Sequence, residues 1–100
     1  MTSNQQKYLT QRLYKFLQEG HYIMFKKMIY NRGTIEPHIY PTIVELDYRD
    51  KVLPTLLHEF LHYQYPTWSE TRILQAESSW VESLTDRQIR NIFKRFALSL

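Results

Sequence analysis

The sequence predicts a small α+β domain: an N-terminal helix, a short antiparallel β-hairpin, then three further helices. Three observations predict it. Apolar residues recur at helical spacing in four stretches, two β-favouring runs lie between the first and second of these, and Gly and Pro punctuate the joins. One hundred residues make one domain, 1–100, with a modest core and no second lobe.

Residues 5–19 read as the first helix, with Leu9, Leu13, Phe16 and Leu17 on one face and Gly20 as its stop. Tyr22 to Tyr30 reads as a strand ending at the turn Asn31-Arg32-Gly33. Pro37 and Pro41 keep the next stretch extended, and Thr42 to Tyr48 forms the second strand. Asp50 is placed to cap the following helix, which tolerates Pro54 in its first turn and ends at Tyr65-Pro66. Ser69 caps the next helix, with Glu70 in its positive first turn and Ile73, Ala76, Glu77, Trp80, Val81 and Leu84 turned inward. Thr85-Asp86-Arg87-Gln88 is a capping box for the last helix, whose inward face is Ile89, Ile92, Phe93 and Phe96.

Composition narrows the function classes. Hydrophobic content of 43% with 15% aromatics supplies enough core for a folded globule rather than a disordered tail. Cysteine is absent, which removes disulfide frameworks, thiolate zinc sites and cysteine nucleophiles, and fits a reducing compartment. No stretch approaches a membrane-spanning length and the polar start is unlike a signal peptide, so a cytoplasmic protein without a membrane partner is expected. The net charge is +3, and its excess lies in Arg87, Arg90, Lys94 and Arg95 against Asp86 alone. Four cations on one helix are few: they read first as a solvated face, and second as a surface for nucleic acid. The only glycines are Gly20 and Gly33, so no phosphate-binding loop exists.

His58-Glu59-Phe60-Leu61-His62 carries the chemistry. Histidines four apart on a helix face the same way, and their ring nitrogens can close on one Zn²⁺. Glu59 then sits beside the open position, where a carboxylate can take a proton from water. Leu53, Leu56, Leu57, Phe60 and Leu61 run an apolar stripe through the motif, so helix and motif support each other.

Two histidines hold zinc weakly, and a third protein ligand is expected. His21 and His38 lie upstream, away from the helical hairpin that surrounds the metal. Among the downstream glutamates, Glu82 falls off the inward face. An antiparallel helix starting at Ser69 climbs to the metal's level by about residue 75, and its side chains lean back toward their N-terminus. Glu77 therefore ranks first as third ligand and Glu70 is the alternative; the bland reading of Glu77 is a carboxylate paired with a nearby arginine such as Arg72.

From about Thr42 to Leu84 the chain resembles the gluzincin branch of zincin metallopeptidases, in which H-E-x-x-H is followed by a glutamate on the next helix. The minimal single-domain members, the minigluzincins, are the most similar. The resemblance rests on Thr42-Ile43-Val44-Glu45-Leu46, the block Leu56 to His62, Pro66, Ser69-Glu70, and Glu77 with Trp80. It implies zinc held by His58, His62 and the glutamate helix, with Glu59 as general base. It also implies that an extended peptide aligns along the strand before the motif helix. The span from His62 to Glu77 is shorter than in large gluzincins, and no separate subdomain supplies a transition-state stabiliser; Tyr48, Tyr63 and Tyr65 flank the motif without spacing that singles one out.

The function expected is zinc-dependent hydrolysis of short or unfolded peptides, in which Glu59 takes a proton from zinc-acidified water and returns it to the leaving amine. The alternative is an idle or latent zinc-stabilised interaction module, latency being attributed to the apolar tail Phe96 to Leu100 filling the cleft of its own chain or of a neighbouring copy.

Overall fold

The computed structural model describes residues 1–100 as four helices and a three-stranded sheet, an α+β arrangement. The first helix, α1, runs Ser3–Gln18. It starts earlier than the apolar pattern suggests because Thr2 and Gln5 close a capping box, each side chain accepting from the other's backbone N–H. Gly20 stops it with φ of 84°, a left-handed conformation that a side chain would strain.

The strands are β1 (Tyr22–Phe25), β2 (Gly33–Ile35) and β3 (Ile43–Leu46), in the order β1-β3-β2. β1 pairs parallel with β3, Tyr22 opposite Ile43 and Phe25 opposite Leu46; β2 pairs antiparallel, Gly33 opposite Leu46. This corrects the expected hairpin between the first and last β-favouring runs. The chain between Phe25 and Ile43 is long enough for a crossover, and residues read only as turn and extended linker supply the antiparallel partner. β3 consequently lies at the centre, and both of its edges are occupied.

The remaining helices are α2 (Val52–Gln64), α3 (Glu70–Ser83) and α4 (Asp86–Leu98). Ser69 caps α3 by accepting from Arg72 N–H, and Thr85 with Gln88 forms the capping box of α4. Asp50 does not cap α2: Lys51 holds that position without a side-chain bond, and Asp50 accepts from Lys51 N–H one residue too early. Phe93, expected inside, is 40% exposed, because α4 buries a narrow stripe centred on Ile92 and Phe96.

Leu13, Leu46, Leu57, Leu61, Ile73, Trp80 and Ile92 are fully buried, so all four helices and β3 share one core. Trp80 Nε1 donates to Thr10 Oγ1 at 3.0 Å, tying α3 to α1 and satisfying the indole where no water reaches it. The tail lies away from α2. Phe96 is in the core, Ser99 accepts from Ile23 N–H along the free edge of β1, and Ser99 Oγ donates to Leu17 O. That anchoring overturns the expectation that the tail fills the cleft of its own chain. No helix is long and apolar enough to cross a membrane.

Candidate metal centre

α2 buries His58 and Glu59 on its inner side and leaves His62 partly open, as three neighbouring positions on a helical surface should. One ligand atom from each lies within 4.8 Å of those of the other two. The Nε2 atoms of His58 and His62 are 3.2 Å apart.

Glu70, in the first turn of α3, closes this pair. Its Oε1 is 2.9 Å from His58 Nε2, and its Oε2 is 2.9 Å from His62 Nε2. Glu77 reaches the opposite side of the His58 ring, with Oε1 at 2.8 Å from Nδ1. The geometry therefore departs from the expected ranking: Glu70 faces the convergent nitrogens and Glu77 faces away from them. The count of helical rise ran along backbones, whereas the His62 imidazole and the Glu70 side chain each reach several Å further and meet across the α2–α3 turn. Glu82 is exposed, His38 lies in an exposed loop, and His21 is stacked on Phe16 at 4.1 Å.

Glu77 also takes Arg32 Nη2 at 3.3 Å, not Arg72, whose guanidinium instead sits 3.9 Å over the Trp68 ring. Arg32 Nη2 is 3.5 Å from His58 Nδ1, and Arg32 Nε is 4.0 Å from Asp50. Two roles are new here. Arg32 and Gly33 were legible only as turn residues, yet Arg32 joins the site and Gly33 packs against it. A Cβ on Gly33 would lie 3.0 Å from Glu59 Cγ, 3.1 Å from Thr55 Cγ2 and 2.9 Å from Glu45 O, so only glycine lets β2 approach α2 this closely. A strand-flanking Gly opposite a helix is the signal that could have shown this.

Glu59 takes part in none of these ion pairs. Its carboxyl is buried, which pushes its pKa up to about 7; His62 and Arg32 oppose the rise while Glu70 and Glu77 add to it. It lines two adjoining hollows of about 290 and 310 Å³, bounded by the Tyr30–Ile35 segment on one side and His62 on the other. Tyr48, Tyr63 and Tyr65 line neither. Tyr63 packs edge-on to Phe16, and Tyr65 stacks on Trp68 at 4.0 Å, where burial raises its phenol pKa.

The donor set fits a divalent cation. His58 Nδ1–H donating to Glu77 leaves the Nε2 lone pair pointing at His62 and Glu70. Two imidazole nitrogens and a carboxylate converging within about 3 Å are the ligand types that hold zinc. Tetrahedral zinc at about 2.0–2.1 Å from each ligand would set its ligands about 3.3 Å apart. The two Nε2 atoms, 3.2 Å apart, match that spacing, and each has a different Glu70 oxygen at 2.9 Å. Comparison with family models, with curated proteins and with solved structures finds no match for this chain.

Proposed function

We propose that this protein is a zinc-dependent peptidase in which His58, His62 and Glu70 hold the ion and Glu59 is the general base. One observation carries the reading: both Glu70 oxygens face the two convergent imidazole nitrogens, while the buried Glu59 carboxyl is left free to face the cleft. Zinc, when bound, supplies Lewis-acid polarisation of a peptide carbonyl and makes water acidic enough to lose a proton near neutral pH.

The chain's own groups supply the rest. Glu59 accepts the proton from water and passes it to the departing amine nitrogen, a role that suits a carboxyl with affinity for protons near neutrality. Glu77 holds the His58 ring in the tautomer that presents Nε2, and Arg32, 3.3 Å from the same oxygen, holds Glu77 in place. Gly33 lets β2 close over Glu59. The strand before the motif helix was expected to receive peptide, but β3 is hydrogen-bonded on both sides. The free edge beside the site belongs to β2, and an extended peptide or unfolded segment aligns there. A cytoplasmic location is part of the same proposal, and the cysteine-free composition is in keeping with it.

A second reading, a zinc-stabilised interaction module without turnover, draws on Tyr48, Tyr63 and Tyr65 all lying outside the cleft. One experiment separates the two. Elemental analysis and hydrolysis of a fluorogenic peptide library are measured on the native chain, Glu59→Gln and Glu70→Ala. The peptidase reading expects about one zinc per chain in the native protein and in Glu59→Gln, with hydrolysis only in the native. Zinc without hydrolysis in the native chain leaves the module; a native protein that takes up no zinc on reconstitution overturns both.

A further inference from the structure

The basic excess is not confined to the last helix. α1 carries Lys7, Arg12 and Lys15 with no carboxylate, and α4 carries Arg87, Arg90, Lys94 and Arg95 against Asp86. These two helices thus hold seven of the thirteen lysines and arginines and one of the ten acidic residues, leaving six against nine elsewhere. They also pack together: Arg95 lies 4.4 Å over the Tyr14 ring, and Lys7 borders a hollow shared with Thr85 and Gln88.

Helical spacing sorts their cations into two outward rows. Lys7 and Lys15 are two steps of four apart on α1, with Gln11 between them; Arg87, Arg90 and Lys94 follow at three and seven on α4. All five are exposed. None of the seven cations forms an ion pair, whereas three of the six elsewhere, Lys26, Arg32 and Arg49, do. Seven cations on two adjoining helices, with Asp86 their single carboxylate, describe a surface suited to an external polyanion.

We infer that the paired outer faces of α1 and α4 bind the phosphate backbone of double-stranded nucleic acid, independently of the metal centre. Length and chemistry favour that partner. The thirteen residues of α4 extend about 20 Å, a span over which a duplex presents roughly twelve phosphate charges. The side chains between the cations include Gln11, Gln88 and Asn91, amides suited to phosphate and sugar oxygens. An anionic membrane would need a continuous apolar strip beside the charges, but Ile92 and Phe96 are buried, and the exposed large apolar side chains of the two helices are Tyr8, Phe93 and Leu98, too few for such a strip. α4 ends against β1 while the cleft opens beside β2, so a bound duplex leaves the cleft clear. The acidic remainder of the molecule turns this face, and not the cleft, toward the duplex.

The test is an anisotropy titration of a labelled duplex of about 20 base pairs and arbitrary sequence with the full chain, from about 50 to about 200 mM salt. The expected result is binding whose affinity falls steeply with salt, indifferent to sequence. Arg87→Glu, Arg90→Glu and Lys94→Glu combined should weaken it at least about tenfold and lower the log–log salt slope by about three. Lys7→Gln with Lys15→Gln should lower it by about two, a milder change that guards against misfolding of the triple variant. Lys27→Gln with Lys51→Gln, on neither helix, should leave it unchanged. No binding at low salt, equal loss in the Lys27/Lys51 variant, or binding to phosphatidylserine vesicles but not to duplex would each overturn the inference.

Discussion

The Glu77 carboxylate meets the His58 imidazole at Nδ1, 2.8 Å away, on the side of the ring turned from His62. Glu70 meets the same ring at Nε2. Two carboxylates of one helix, seven residues apart, therefore grip one histidine from both sides, and they have different jobs.

Zinc affinity separates those jobs. On the proposed reading, Glu70→Ala removes a ligand and is expected to abolish stoichiometric zinc, while Glu77→Gln removes a partner of the ring and should weaken binding by about 10- to 100-fold. Competition against a chromogenic chelator measures both. Equal and complete loss in the two variants would return Glu77 to the ligand set.

Gly33→Ala tests how closely β2 must approach α2. With backbone and side-chain atoms 2.9–3.1 Å from the added methyl, β2 has to shift, at a cost of about 1–3 kcal/mol. A lower urea midpoint with unchanged slope is expected. An unchanged midpoint would mean that β2 moves freely.

His21 predicts a pH dependence of stability. Its Nδ1 accepts from Thr42 N–H at 3.0 Å, its Nε2 has no partner, and burial lowers its pKa, with Glu19 opposing part of the fall. The unfolded chain then binds the proton more readily than the folded one. This contribution to stability is full above the unfolded value of about 6.5 and is lost as pH falls below it. The urea midpoint of the native chain should drop from pH 7 to pH 5 more than that of His21→Asn, whose amide oxygen can still accept from Thr42.

Thr10→Val leaves the Trp80 indole N–H buried without an acceptor, a loss of about 1–3 kcal/mol for one hydroxyl. Calorimetry should show a lower Tm with zinc stoichiometry retained. Trp80→Ala, which empties the centre of the core, is expected to cost about 3–5 kcal/mol, a large part of the stability of a domain this size.

Helices and site were written locally and the sheet was not. Ser69 and Thr85 announce their helices within four residues, and the spacing of His58 and His62 is enough to place both rings together. The parallel pairing of Tyr22 with Ile43 depends on contacts far apart in sequence, which no local pattern encodes. The same distance hid Arg32, whose partner Glu77 lies 45 positions away. Glu70 was visible twice over, as an N-terminal helix carboxylate and as a ligand candidate. Only the packing of α3 on α2 decides between those readings.

The grip of α3 on His58 has a practical side. Trp68 stands just before Glu70, held under Arg72, and Trp80 stands one turn past Glu77 in the densest part of the interior. The chain's only two indoles bracket the carboxylates that hold His58 from both sides, so any slide or loosening of α3 on α2 changes the surroundings of both. The protein carries its own optical gauge of how α3 sits on α2, readable by emission without an attached dye, and zinc bound as proposed would move that gauge.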